Sequence, residues 1–120
     1  ETHHQHKKDL PSGTAIFLGK AVADARGDDF DLVYADRGIK HLRQSASEIG
    51  ISGMRGGAVI GDHHVHFLGA RERLELSHCA TDRDVFAQGA VSVAEWLSQQ
   101  TPGCYAMSDF VRAQLVVSNH

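Results

Sequence analysis

The sequence predicts an α+β fold: a mixed or antiparallel sheet with helices on one face. Three observations predict it. Apolar residues recur at helical spacing at Ala15, Leu18, Val22 and Ala25, and again at Phe86, Ala90, Val93, Ala94 and Leu97. Between these stretches, apolar and polar residues alternate with the period of a strand. Gly69-Ala70 separates two such strands as a hairpin turn.

Each element has its own local signal. Ser12 or Gly13 can cap a first helix that runs to about Arg26, and Gly27 is a suitable stop. Phe30 to Tyr34 is a short apolar run that reads as a strand. Ala35 to Glu48 is rich in Arg, Ser, Gln and Lys and reads as a long loop. Ile49, Ile51 and Gly53 alternate with Gly50, Ser52 and Met54 as a strand. Gly56-Gly57 then implies a bulge or a close backbone approach. His64 to Leu68 and Arg71 to His78 form the hairpin. In its second arm Leu74 and Leu76 face one way while Arg73, Glu75 and Ser77 face the other, as in a half-buried antiparallel strand. Asp82 or Asp84 caps the second helix, with Phe86 in its core stripe, and Thr101-Pro102-Gly103 ends it. The stretch from Cys104 to His120 is expected to be a short strand or helix.

Composition narrows the function. A chain of 120 residues forms one domain, residues 1–120, with 42% hydrophobic and 22% charged residues. The formal charge of −3 argues against general nucleic-acid binding. No apolar run is long enough to span a membrane and no secretory signal is seen, so a cytoplasmic location is expected. Cys79 and Cys104 follow no pairing motif and are expected to be free thiols.

The most informative run is Glu1-Thr2-His3-His4-Gln5-His6-Lys7-Lys8-Asp9-Leu10-Pro11-Ser12-Gly13-Thr14-Ala15. It gathers three imidazoles and two ammonium groups, then enters a helix through Pro-Ser-Gly-Thr. A helix start offers unpaired N–H groups and the positive end of a dipole, both suited to an anion. Proton donors beside an anion site point to chemistry on a carboxylate-bearing substrate. Pro11 stiffens the entry, Gly13 admits a close backbone approach, and Ser12 and Thr14 add hydroxyls.

This run resembles the signature of dihydrodipicolinate reductase, E-x-H-x-x-x-K-x-D-x-P-S-G-T-A, and every fixed position is filled. Downstream, Ile49-Gly-Ile-Ser-Gly-Met-Arg55-Gly-Gly, Gly61-Asp-His63, Glu72-Arg-Leu-Glu-Leu-Ser-His78, Phe86-Ala-Gln-Gly-Ala90 and Trp96-Leu97 resemble the family in the same order. The resemblance covers nearly the whole chain, but only the second half of a family member. It implies a C-terminal substrate-binding and tetramerisation domain of 4-hydroxy-tetrahydrodipicolinate reductase. That enzyme reduces a cyclic dicarboxylate in lysine and diaminopimelate biosynthesis with NADPH or NADH.

The resemblance also implies roles. His3 and Lys7 match the catalytic proton-transfer residues. His4, Lys7, Ser12, Gly13 and Thr14 match the substrate-binding set. An imidazole with its ordinary pKa of about 6.5 can give or take a proton at neutral pH. Asp9 is expected to pin the loop by hydrogen bonding. Arg55 is either a surface arginine beside a bulge or a guide for an anionic ligand. Trp96 reads as core or interface.

No G-x-G-x-x-G lies between a strand and a helix, so no dinucleotide fingerprint is present. The chain opens inside the signature without Met. It is therefore expected to be a piece of a longer protein whose dinucleotide-binding domain precedes it, inactive alone and with no cofactor bound. A rival reading is a catalytically inert tetramerisation module. Another is a His-rich metal protein, since His63, His64 and His66 follow His3, His4 and His6. The spacing disfavours a metal: His64 and His66 share a strand face, His63 points opposite, and zinc-type pairs are missing. Expected partners are a small dicarboxylate and further copies of the chain as a homotetramer.

Overall fold

The first helix, α1, spans Gly13–Arg26, and local chemistry sets both its ends. In the computed structural model, which describes residues 1–27, 31–34 and 47–117, Ser12 has extended backbone and its Oγ accepts from the Ala15 amide at 3.2 Å. That is an N-cap, satisfying a donor the helix cannot. Gly27 closes the helix in the left-handed region, φ 71°, where a side chain would be strained.

The strands form two sheets rather than one. A four-stranded mixed sheet has the order β4-β1-β5-β6, with β1 at Thr2–His3, β4 at Met54–Arg55, β5 at Gly61–Leu68 and β6 at Arg73–Ala80. A separate parallel pair joins β2, Asp31–Tyr34, to β3, Glu48–Ile51. The strand expected from Ile49 to Met54 is thus divided between the two sheets. The break falls at Ser52-Gly53, where the Ser52 carbonyl accepts from the Glu1 amino group at 2.9 Å. A Cβ on Gly53 would lie 2.5 Å from Leu10 Cδ1 and collide with the Glu1 carboxylate, so the chain start occupies the space a side chain would need.

The strand β1 was not foreseen. It lies inside its sheet, parallel to β4 with His3 beside Arg55, and antiparallel to β5 with Thr2 beside Asp62. Gly56-Gly57 gives the expected close approach: Gly56 N donates to His3 O at 3.0 Å, Gln5 N donates to Gly57 O at 3.2 Å, and Gly57 has φ 53°.

The hairpin β5–β6 is as expected, with Gly61 opposite Ala80 through to Leu68 opposite Arg73. Its turn is longer than Gly69-Ala70 and closes with Gly69 N donating to Glu72 O at 2.9 Å. The second arm departs from the half-buried pattern. Leu74 and Leu76 are each 58% exposed, because nothing else described in the first unit covers that end of the sheet. Helix α1 packs on β2, β3 and β5. Gly19 makes the closest approach: a Cβ there would sit 3.1 Å from both Ile51 Cδ1 and Leu32 Cδ2. The helices and sheets confirm the α+β class. The loop expected over Ala35 to Glu48 lies almost wholly outside the described residues, and only Ser47 and Glu48 are seen.

The chain divides into two compact units, Glu1–Thr81 and Asp82–His120. In the second, α2 spans Asp84–Leu97 and α3 spans Met107–Val117, so the tail after Cys104 holds a helix rather than a strand. Asp82 Oδ1 takes the Asp84 amide at 2.9 Å, and Asp109 Oδ2 takes the Ala106 amide at 2.8 Å, so each helix start has a carboxylate. Trp96 sits edge-on to Tyr105 at 5.5 Å and to Phe110 at 5.7 Å, and is this unit's core. Phe86 is not core as expected: it is 57% exposed, since α2 turns Val93 and Trp96 inward instead. Cys79 and Cys104 are free and exposed. Among the described residues no helix is long and apolar enough to cross a membrane.

Candidate functional site

The site grows from β1 and the segment that leads from it to α1. In an extended chain, residues two apart share a face, so Glu1 and His3 lie side by side. His3 Nδ1 is 2.5 Å from Glu1 Oε2. Both side chains are buried, at 11% and 1% exposure. Arg55 arrives through the β1–β4 register. Its Nη1 donates to Glu1 Oε2 at 2.9 Å, and its Nη2 lies 2.9 Å from Oε1. The same guanidinium donates to the carbonyls of Met54, at 2.6 Å, and Asp9, at 2.5 Å. Burial pushes the Glu1 carboxyl up, but the Arg55 and His3 hydrogen bonds and the Arg55 charge outweigh it and hold the carboxyl below its ordinary value.

A second histidine stands beside the first. His63, on β5, meets His3 edge-on with ring centroids 5.1 Å apart. Its Nε2 is 3.0 Å from Ser12 Oγ, the same hydroxyl that caps α1. Burial, and then the charge on His3, pull the His63 imidazole below its ordinary value. Ser12 thus ties the start of α1 to the sheet and is itself only 2% exposed.

The connecting segment carries the cations. Lys7 Nζ pairs with Asp9 Oδ2 at 2.8 Å, and Lys7 is the more sheltered of the two. The hydrogen bond from Lys7 lowers the Asp9 carboxyl. Asp9 therefore pins the loop, through its side chain to Lys7 and its carbonyl to Arg55. His4 is half-buried near His6, ring centroids 6.2 Å apart, while His6 and Lys8 are exposed. The peptide bond between Leu10 and Pro11 is cis. Gly13 and Thr14 are exposed at the helix start, where helix geometry leaves their amides without intrahelical acceptors. Among the described residues no atom lies within 4 Å of the place a Gly13 Cβ would take.

The six residues singled out by sequence therefore fall in two groups. His3 and Ser12 are buried and engaged with protein groups, whereas Gly13 and Thr14 are open, with His4 and Lys7 in between. Sequence reasoning gave no role to Glu1 and left Arg55 undecided. The signal for Glu1 was its two-residue offset from His3. For Arg55 the signal was absent, because the β1–β4 pairing cannot be read from so short a strand.

Carboxylate, imidazole and thiol atoms also gather as possible metal ligands. Glu1, His3 and His63 bring theirs within 4.8 Å of one another, as do Asp62, His64 and Cys79. In the first set Arg55 already occupies the carboxylate, and a cation would have to displace it. His64 and His66 stack on the outer face of β5, rings 6.1 Å apart, and both reach toward Glu75. An open groove of about 1460 Å³ runs along α1, β3 and β5 and borders on Glu1 and His63, but not on His3, Lys7, Gly13 or Thr14.

Comparison with known proteins gives a consistent picture. The family described as dihydrodipicolinate reductase, C-terminus, matches residues 1–111. The 4-hydroxy-tetrahydrodipicolinate reductase of Syntrophotalea carbinolica is 47% identical over 113 residues, which are 92% of this chain and 42% of that protein. The reductase of the same name from Wolbachia pipientis subsp. Culex pipiens is 51% identical over 112 residues, 92% of this chain and 42% of its own length. The chain thus spans about two fifths of the curated relatives it matches. Among solved structures, dipicolinate-bound dihydrodipicolinate reductase from Paenisporosarcina sp. TG-14 aligns with a TM-score of 0.57 and 25% identity, over 75% of this chain and 35% of that one.

Proposed function

The chain belongs to the dihydrodipicolinate reductase C-terminal family, and we propose that it supplies the substrate-binding and proton-transfer part of a cytoplasmic 4-hydroxy-tetrahydrodipicolinate reductase. The pathway would be that of lysine and diaminopimelate. One observation carries the reading: a single segment, residues 1–15, holds a buried carboxylate-bound imidazole at one end and an open helix start at the other.

The chemistry follows from that layout. Reduction of a cyclic imine leaves an enamine that must gain a proton. His3 has Nδ1 engaged by Glu1, so Nε2 is the nitrogen that takes up a proton and, from the imidazolium, delivers it to the enamine. The Gly13 and Thr14 amides and the Thr14 hydroxyl face a substrate carboxylate. Lys7 has three N–H donors and uses one on Asp9, so it can reach a carboxylate or donate a proton beside it. His4 flanks the same opening. Ser12 acts from beneath, holding the helix start against His63.

The residues present do not fit a dinucleotide. The helix α1 opens on Pro11-Ser12 with the Ser12 hydroxyl on its own Ala15 amide, and among the described residues no glycine-rich turn links a strand to a helix. NADH or NADPH would be held outside this chain, and no step of hydride delivery is assigned to its residues.

The test is a titration of the chain with dipicolinate followed by NMR. Shifts should centre on His4, Lys7, Gly13 and Thr14. Shifts confined to residues after Cys104 would refute the site. A companion role in assembly has its own support, since Phe67, Leu74 and Leu76 are exposed on one face of β5 and β6. We propose that copies of the chain pack through this sheet as a homotetramer.

A further inference from the structure

A histidine that donates a proton from one nitrogen must be told which nitrogen that is. Neutral imidazole exists as two tautomers, and the hydrogen bond made by one nitrogen selects the state of the other. At His3 that bond goes to a carboxylate with almost no exposure to water. The carboxylate is itself held. Arg55 faces both Glu1 oxygens, and its two terminal nitrogens also donate to backbone carbonyls, those of Met54 and Asp9, which leaves only Nε without a partner among the described residues. Two relations assemble the trio: the two-residue offset in extended chain puts Glu1, just before β1, beside His3, and the β1–β4 register puts Arg55 beside His3.

We infer that Glu1, anchored by Arg55, is the positioning residue of this site: it fixes the His3 ring with hydrogen on Nδ1, so that Nε2 is the atom that takes up a proton and, from the imidazolium, delivers it. The inference rests on the reading of His3 as proton donor and goes beyond it, since Glu1 acts through its bond to His3 and Arg55 through its pair with Glu1. Gly61 completes the seat. A Cβ at residue 61 would lie 3.0 Å from His3 Nε2, so only glycine leaves that nitrogen unobstructed from below. His63 does not compete for Glu1, because its Nε2 is engaged with Ser12. A bound metal is a poorer account of the same trio, because a guanidinium already neutralises the carboxylate.

The test uses the full-length reductase containing this chain, together with imidazole ¹⁵N NMR of the chain itself. Glu1→Gln keeps the shape but offers a donor as readily as an acceptor. It should lower kcat by about 10²-fold, the lower end for loss of general-acid catalysis, and leave KM for the dicarboxylate unchanged. On a His3→Ala background it should cost nothing more, since Glu1 acts only through His3. In NMR, His3 should change from one neutral tautomer, with hydrogen on Nδ1, to a mixture. Arg55→Lys should give a smaller change in the same direction, and it carries the test if Glu1→Gln does not fold. An equal loss of kcat with and without His3, or an unchanged tautomer, overturns the inference. Full turnover in His3→Ala alone would instead sink the proton-donor reading, while the tautomer measurement would still judge the hold of Glu1.

Discussion

Lys7 and Lys8 are neighbours with the same charge, yet their surroundings differ. Lys7 is partly sheltered and oriented by Asp9, beside the opening to the start of α1, whereas Lys8 is exposed. On the proposed function, Lys7→Ala in the full-length protein should raise KM and lower kcat, while Lys8→Ala should leave both near wild type. Loss of a charge-assisted hydrogen bond weakens binding by roughly 1.5–3 kcal/mol. Steady-state kinetics of the two variants decide the matter, and equal damage would remove Lys7 from the site. Acid should also act through single residues. His63 has an imidazole held below its ordinary 6.5, so the unfolded chain takes up that proton first as pH falls. Stability should therefore decline from about pH 6.5 downward until the folded form also protonates. Glu1 has a carboxyl held below 4.5, so its contribution is complete above that pH and is lost as pH falls through the folded value. Thermal melts between pH 7 and 3 should show both losses. His63→Gln should abolish the upper one and Glu1→Gln the lower.

At the scale of elements, Ser12 joins a helix end to a sheet. Ser12→Ala removes the cap on α1 and the partner of His63 Nε2 together. Loss of an N-cap costs about 0.5–2 kcal/mol, and the unpaired His63 nitrogen should put the result at the upper end. Gly27→Ala, at the other end of the helix, forces a Cβ into the left-handed region, a cost of about 1–2 kcal/mol. Chemical denaturation of both variants tests this, and a Ser12→Ala protein as stable as wild type would deny the hydroxyl its double role. The hairpin β5–β6 teaches a different lesson. Its alternation was plain in the sequence, but alternation reports only which residues share a face. It does not report whether anything covers that face, and Leu74 and Leu76 are open.

For the whole molecule, the exposed apolar sheet residues and the absent dinucleotide fingerprint lead to separate expectations. Monomeric proteins seldom display a broad apolar patch without a partner. Phe67, Leu74 and Leu76, which share one face of the hairpin, should therefore be buried in a homotetramer, and light scattering should give four times the 13.0 kDa chain mass. A steady monomer at high micromolar concentration would contradict this. The chain alone should neither bind NADPH tightly nor turn over substrate, because without a held cofactor the proximity contribution to rate vanishes. Calorimetry with NADPH is the direct measurement, and tight binding would overturn the expectation.

Much of this protein was legible in the sequence because its signals are local. The caps of α1, Ser12 and Gly27, act within four residues, and so they could be read directly. The same holds for the hairpin, the core position of Trp96 and the filled signature from Glu1 to Ala15. Other features depend on residues some fifty positions apart, and these only the tertiary structure decided. The hydrogen bond of Ser12 with His63 and the ion pair of Glu1 with Arg55 exist because a two-residue strand enters the middle of a sheet. Such a strand has no periodicity to detect. The residues of the chain start could be named from the sequence, but not that the Glu1 and His3 side chains are among the most buried of the first unit. Periodicity determined the elements and local chemistry their ends, but pairing between distant strands decided which side chains leave water, and burial is what turns a carboxylate and an imidazole into a site.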